Sequence, residues 1–130
     1  MASAITDYLE DALLDHVMGV TQLASGTTVY AGLCSANPTD TGAVGEIAGG
    51  AYARTALTFG SASTGGTITN TADTTFPTAT ASWGTITHSV IWDASTGGNA
   101  LFQGALASSK AVGNGDTFKF ASGNVSVTLD

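Results

Sequence analysis

The hydrophobic period changes once along this 130-residue chain, and that change constrains the fold more than any other feature. In "SAITDYLEDALLDHV" the apolar residues recur every three or four positions, which is typical of an amphipathic helix. Beyond Gly19, apolar and polar residues alternate, and turn-forming Gly, Asn, Asp and Pro residues recur at short intervals. This second pattern is typical of an all-β sandwich or barrel.

The first pattern predicts one N-terminal helix within residues 1–19. Six apolar residues form its stripe: Ile5, Tyr8, Leu9, Ala12, Leu13 and Val17. Ser3 or Thr6 can cap the start of the helix, and Gly19 is placed to end it. The sequence leaves open whether the helix packs on its own domain or on a neighbouring chain.

The second pattern predicts seven short strands. They are Thr28–Cys34, Ala53–Phe59, Thr67–Ala72, Thr85–Trp92, Ala100–Leu106, Thr117–Phe120 and Val125–Leu129. The length predicts a single domain over residues 1–130, with the β-sandwich over residues 27–130. The fold class is therefore mainly β: an antiparallel β-sandwich of the jelly-roll or Greek-key kind with one N-terminal amphipathic α-helix. Several strand orders fit seven short strands, so the order stays open.

A hairpin is predicted around the turn "DASTGG". Asp93 can accept hydrogen bonds from the turn amides, and the two adjacent glycines accept positive φ. Four large apolar residues flank the turn and can pair across the strands: Ile91, Trp92, Leu101 and Phe102. Most of this stretch is therefore explained by folding alone.

The charge of the chain excludes several classes of partner. Ten acidic residues oppose only Arg54, Lys110 and Lys119, which gives a net charge of −7. Because this charge repels phosphate backbones, we expect no nucleic-acid partner.

No apolar run approaches the roughly 18 residues of a membrane helix, so we expect no membrane partner. The N-terminus lacks the pattern of a signal peptide, which predicts assembly in a cytoplasm.

The residues that could carry catalysis are poorly arranged for it. His88 and Asp93, with Ser89 between them, invite a hydrolase interpretation. Their odd spacing, however, places His88 and Asp93 on opposite faces of an extended strand, and no nucleophile-elbow motif accompanies Ser89. Cys34 ends an alternating run, which indicates a buried apolar role and not a reactive thiol.

Metal ligands are equally sparse. Two histidines and one cysteine are too few for a zinc site of four protein ligands. Asp40, Glu46 and Asp116 supply carboxylates, but their spacing does not match an EF-hand loop. We therefore expect no catalytic residues, no cofactor and no metal site, and we expect that the chain is not an enzyme.

Two loops are longer than hairpins require, and we predict that they form protein contacts. The loop Ser35–Tyr52 is nearly uncharged and rich in turn formers, and Asp73–Gly84 carries large rings around a proline. Such loops are expected to be ordered and covered by a neighbouring chain. The predicted interface residues are Asn37, Pro38, Asp40, Val44, Ile47, Tyr52, Phe76, Pro77 and Trp83.

Several strings, taken together and in order, resemble a known family. They are "DYLEDALLDHV", "TVYAGLCSANPTD", "GGAYAR", "FPTATASWGTITHSVIWDASTGGNALFQGAL" and "NGDTFKFASGNVSVTLD". This set is similar to short tailed-bacteriophage virion proteins, which are commonly described as tail fibre or tail proteins, with capsid decoration subunits as a related description. The resemblance implies a virion structural protein without catalytic activity, built on a β-sandwich-like core.

The resemblance does not fix the position in the particle. The chain has no coiled coil, repeat or long shaft, so we expect first a capsid decoration (cement) subunit that stabilises the head through protein contacts. A tail fibre, tail or collar component is the alternative. Expected partners are the major capsid protein or other virion subunits, together with further copies of the chain, for which we expect a homo-oligomer, with a trimer favoured.

A glycan-binding module remains the competing class of function. Its candidate residues are Trp83, Trp92 and Tyr52 for stacking on sugars, and Asp40, Asn70 and Asn99 for hydrogen bonds. Trp92 lies beside the hairpin turn and is more simply explained as a core residue. Such a module on a fibre or tail component would contact sugars of the host surface.

Overall fold

The computed structural model describes residues 4–24, 28–62 and 65–129. Ser3, one of the two predicted caps, and the predicted sandwich boundary at residue 27 lie outside the described residues. The elements are β1 Ala4–Ile5, α1 Asp7–Val17, β2 Val29–Cys34, β3 Thr55–Leu57, β4 Thr67–Thr69, β5 Thr74–Thr75, β6 Gly84–Trp92, β7 Ala100–Val112, β8 Lys119–Phe120 and β9 Ser126–Thr128.

The strands form one large sheet and two small ones. The large sheet has five strands in the order β1-β7-β6-β2-β3, and β4 pairs with β9 and β5 with β8. Every pairing between these strands is antiparallel. The main apolar cluster takes residues from the large sheet and from both small sheets, as in a sandwich. The predicted fold class, mainly β and antiparallel with one N-terminal helix, is confirmed.

The hairpin between β6 and β7 forms as predicted. Ile91 lies opposite Phe102, and Trp92 lies opposite Ala100. The backbone N–H of Asn99 donates to Asp93 Oδ1 at 2.7 Å, which closes the turn. The two adjacent glycines of the turn both have positive φ, +60° and +70°.

Some strands are shorter than predicted, and one is longer. The predicted strands Ala53–Phe59 and Thr67–Ala72 shorten to three residues each, while the fifth extends from Ala100 to Val112. The extension follows from pairing with β6, which continues past a break in register to Lys110 and Val112. β1 and β5 were not predicted, because two-residue strands are too short to show an alternation.

The helix is tied to the large sheet at its first residues. Thr6 is the N-cap: its hydroxyl accepts from the N–H of Leu9 and donates to the carbonyl of Ala100 at 2.6 Å. This confirms Thr6 as a cap. None of the helical residues is fully buried, although Leu9 and Leu13 are partly covered. The helix therefore rests on its own domain but leaves one side in solvent.

Phe76 lies at the centre of the main apolar cluster. Only 1% of its surface is exposed, and its ring contacts Tyr52, Phe118 and Phe120 at centroid distances of 6.4, 5.7 and 6.1 Å. The contacts with the two phenylalanines are edge to face, a geometry that favours aromatic pairs. The ring thus links the long loop, through Tyr52, to β8 and the residues before it.

We expect Phe76→Ala to lower the free energy of unfolding by about 3 to 5 kcal/mol, because it removes a fully buried ring and leaves a cavity. Urea denaturation followed by tryptophan fluorescence measures the change. Thr80→Ala is the matched control at an exposed position nearby, with an expected change within about 0.5 kcal/mol. A loss at Phe76 as small as the control's would contradict its central place in the core.

Candidate interaction surface

The loop Ser35–Tyr52 covers the face of the large sheet opposite the main core. A second apolar cluster lies there, formed by Cys34, Val90, Trp92 and Ala100. Gly42 has a φ of +69°, and a Cβ built on it would lie 2.2 Å from the Cβ of Ala100. Only glycine fits this approach, so the loop is fixed against the sheet by its backbone.

Part of the predicted interface lies exposed on this loop. Asn37, Asp40 and Val44 are exposed, and Ile47 is partly buried against the main core. The carbonyl of Asp40 accepts from the N–H of Asp7, so the loop also holds the start of the helix. These positions stay predicted contact residues.

The prediction that large rings of the second loop need a neighbouring chain to cover them is wrong for Phe76 and Trp83. Both are buried in the chain's own core, and Trp83 Nε1 donates to the carbonyl of Gly50 at 2.9 Å. Pro38 is buried as well, and Tyr52 is half-buried against the core, whereas Pro77 is exposed. The loop Asp73–Gly84 forms part of the core. The sequence did not predict this, because apolar and polar residues do not alternate regularly in the loop.

The same burial removes the stacking surface of the glycan-binding alternative. Trp83 and Trp92 are buried, and the ring of Tyr52 stacks on Phe76 and packs against Trp83. Asn70 is 2% exposed, and its amide bonds the backbone of Ala121 and Val125 at 3.0 and 2.9 Å. Trp92 is a core residue, as its position beside the turn indicated.

An ion pair inside the domain was missed by the sequence analysis. Arg54 donates to both carboxylate oxygens of Glu46, at 2.7 and 2.8 Å, and Tyr52 Oη donates to Glu46 at 2.9 Å. The guanidinium lies 3.6 Å from the ring centroid of Trp92 and donates to the turn carbonyl of Gly97. The only signal in the sequence was that Arg54 follows a nearly uncharged loop whose two acids are Asp40 and Glu46.

The candidate catalytic residues take structural partners. Ser89 is buried and donates to the carbonyl of Gly32 at 2.7 Å, while His88 Nδ1 lies 2.8 Å from the hydroxyl of Thr87. Asp93 binds both the backbone and the side chain of Asn99. The three side chains are thus held apart by different neighbours.

The candidate calcium ligands are likewise engaged elsewhere. Glu46 binds Arg54, Asp40 Oδ1 accepts from the Gln103 amide at 3.3 Å, and Asp116 accepts from the N–H of Gly113. Within residues 4–24, 28–62 and 65–129, no three His, Cys, Asp or Glu side chains are grouped closely enough to hold a metal ion.

Cys34 lies in the second apolar cluster with no exposed surface. Burial raises the pKa of its thiol to about 12, with a further increase from the charge of Glu46. Burial also raises the pKa of Tyr52 well above its usual value. A thiol with so high a pKa is a poor nucleophile at neutral pH.

The helix presents an uncovered face, which we call the outer stripe: Asp7, Glu10, Leu14, Val17 and Met18. Residues three and four apart share a helix face, so acids lie at one end of the stripe and apolar side chains at the other. The exposed fractions of the three apolar residues are 60, 65 and 70%. An exposed apolar patch beside a well-packed core is typical of a protein contact.

The structural domain coincides with a known family. The model of the family described as podophage GP4 fiber I protein gp80 matches residues 4–128, from the first residue of β1 to the last of β9. The chain belongs to this family. It is therefore a structural protein of short-tailed phage virions, which confirms the resemblance seen in the sequence. No curated protein matches the chain. None of the described helices is long and apolar enough to cross a membrane.

We expect Arg54→Met to lower the free energy of unfolding by about 2 to 3 kcal/mol, because it leaves Glu46 partly buried without its cation. Thermal unfolding monitored by near-UV circular dichroism of Trp92 measures this. Lys119→Met is the matched control, since its pair with Asp73 spans 3.5 Å and both side chains are about half exposed. Equal losses of stability in the two variants would contradict a larger contribution of the Arg54–Glu46 pair to the free energy of unfolding.

We expect Cys34 to resist thiol reagents in the native protein at about pH 8 and to react quickly in denaturant. The raised pKa also affects stability at high pH. The unfolded thiol ionises above its ordinary pKa of 9.0, whereas burial keeps the folded thiol neutral up to a pKa of about 12, so stability falls as pH rises between these values. Rapid labelling of the folded chain would contradict the described burial.

Proposed function

We propose that this chain is a fibre subunit of a short-tailed phage virion and that it acts through protein contacts without catalysis. The family match across the whole described fold carries the proposal, because the family is described as a fiber protein. The match runs through every strand and the helix, so it does not rest on a shared short motif.

The surface of the domain supports a role in assembly. The outer stripe leaves apolar side chains in solvent. The polar side chains that could take part in catalysis, such as Ser89 and Glu46, form hydrogen bonds within the fold instead. A subunit held in a particle covers such a patch with its neighbours. The partners are other virion subunits, including further copies of this chain, and the net charge of −7 argues against nucleic acid.

Capsid decoration is the second candidate, and compactness favours it. Among the described residues the one helix has 11 residues, too short for the coiled-coil shaft of an extended fibre. A compact domain can nevertheless occupy the base or the tip of a fibre. The family description agrees with a fibre position, and we therefore place the fibre first.

A particle experiment distinguishes the two candidates. Ser95→Cys places one exposed thiol on the hairpin turn, where the side chain makes no described hydrogen bond. Purified particles that carry this variant are treated with maleimide gold and imaged, and the copy number is measured against the major capsid protein by mass spectrometry. We expect gold on fibres and a handful to a few dozen copies.

The unsubstituted chain is the matched control, because its one cysteine is Cys34, which is buried. Particles that carry it measure the gold bound to cysteines of other virion proteins, and only gold above this background marks the variant chain. Gold spread over the head together with hundreds of copies would overturn the fibre proposal and support decoration.

A further inference from the structure

The outer stripe has the spacing of a helix that docks into a groove. Asp7, Glu10, Leu14 and Val17 follow one another at intervals of three, four and three residues, so they form a single line along the helix. No described salt bridge involves either acid, and the apolar end is more than half exposed. A complementary surface would offer an apolar floor with positive charge beside it.

Few surfaces of this chain can offer positive charge to the outer stripe, because basic side chains are rare in it. Arg54 is held inside the domain by Glu46, which leaves Lys110 and Lys119 as the remaining basic side chains. Both lysines line one groove of about 390 Å³ between the end of β7 and β8. Its apolar floor comes from Leu106, Phe118 and Phe120.

The lysines are available to a partner to different degrees. Within the described residues, no acidic side chain forms a salt bridge with Lys110, and Lys119 makes only the long, exposed contact with Asp73. The groove therefore combines an apolar floor with at least one free cation. This combination of apolar floor and positive charge is complementary to the outer stripe.

The helix of the same chain does not use this groove. Its cap is bonded to β7 at Ala100, whereas Lys110 lies ten positions further along the strand, and the outer stripe is exposed. The outer stripe can therefore reach such a groove only on another copy.

We infer that the outer stripe of one copy docks into the groove lined by Lys110 and Lys119 of a second copy. Leu14 and Val17 cover the apolar floor, while Asp7 and Glu10 face the lysines. The contact joins two different surfaces, so it repeats from copy to copy, as a closed ring or as an open filament. This inference deepens the proposed fibre role, on which it rests, by naming the partner of the helix as a second copy.

A second apolar groove on the domain is a weaker match. It has a volume of about 320 Å³ and is lined only by apolar residues and glycine, among them Val29, Phe59 and Leu129. A helix placed there would cover its apolar end but leave Asp7 and Glu10 without cations. Charge complementarity therefore selects the groove with the lysines.

Zero-length carbodiimide cross-linking of the purified full chain tests the contact. This reagent joins amines to carboxylates in direct contact, and the chain has only two lysines, so the products are few. A mixture of heavy-isotope-labelled and unlabelled chains identifies links between copies by mass spectrometry. We expect mixed-isotope links from Asp7 or Glu10 to Lys110 or Lys119, and the Asp73–Lys119 link within one copy serves as the internal control.

Charge reversal provides an independent measurement. We expect Glu10→Lys to weaken self-association, measured by sedimentation, by about tenfold or more, because it places like charges together. Lys110→Glu should act similarly, and the two changes combined should restore association. Asp15→Lys is the matched control, since Asp15 lies on the same helix outside the outer stripe.

The outcomes separate this inference from the fibre proposal. A chain that stays monomeric at high concentration, or that links its copies through other residues, overturns the inference even if gold still marks the fibres. Oligomers with the expected links, combined with gold on the head, keep the contact and overturn the fibre position.

Discussion

The contact of Arg54 with Glu46 and Trp92 is the interaction on which the arrangement of the loops depends. Glu46 belongs to the long loop that covers one face of the large sheet, and Trp92 ends β6. The guanidinium also donates to two carbonyls of the hairpin turn, those of Ala94 and Gly97. One side chain thus connects three segments that are distant in sequence. Water is largely excluded from the Arg54–Glu46 pair. The guanidinium binds both carboxylate oxygens and so fixes their geometry, which an exposed pair does not achieve.

Neutral hydroxyl contacts, and not ion pairs, join two further sets of segments. Hydroxyl pairs join Thr67 to Thr128 across β4 and β9, and Thr78 to Thr117 beside the core, at 2.8 and 2.9 Å. Such pairs do not titrate and are not screened by salt. A chain with only 10% charged residues can therefore hold its sheets together over a wide range of ionic strength.

The parts of the fold that depend on neighbours in sequence were predictable, and those that depend on distant neighbours were not. The turn at Asp93 and the cap at Thr6 need only local hydrogen bonds, so their residue types identify them. Phe76 and Trp83 lie in a segment with little regular structure, and only the folded chain shows that this segment forms part of the core. The same holds for the surface: the helical period revealed an apolar stripe, but only the structure shows which side of the helix stays uncovered.

The attachment of the helix also determines how the domain carries mechanical load. A force applied to the helix enters the domain through Thr6, the backbone bond from Asp7 to Asp40 and the two-residue strand β1, which pairs with β7 at the edge of the sheet. These few bonds are far weaker in sum than the long ladder between β6 and β7 behind them. Under tension the helix and β1 would peel from the edge first, while the sandwich stays folded. The N-terminal segment is therefore the part of the domain expected to detach first under load, at a force below the one that separates β6 from β7.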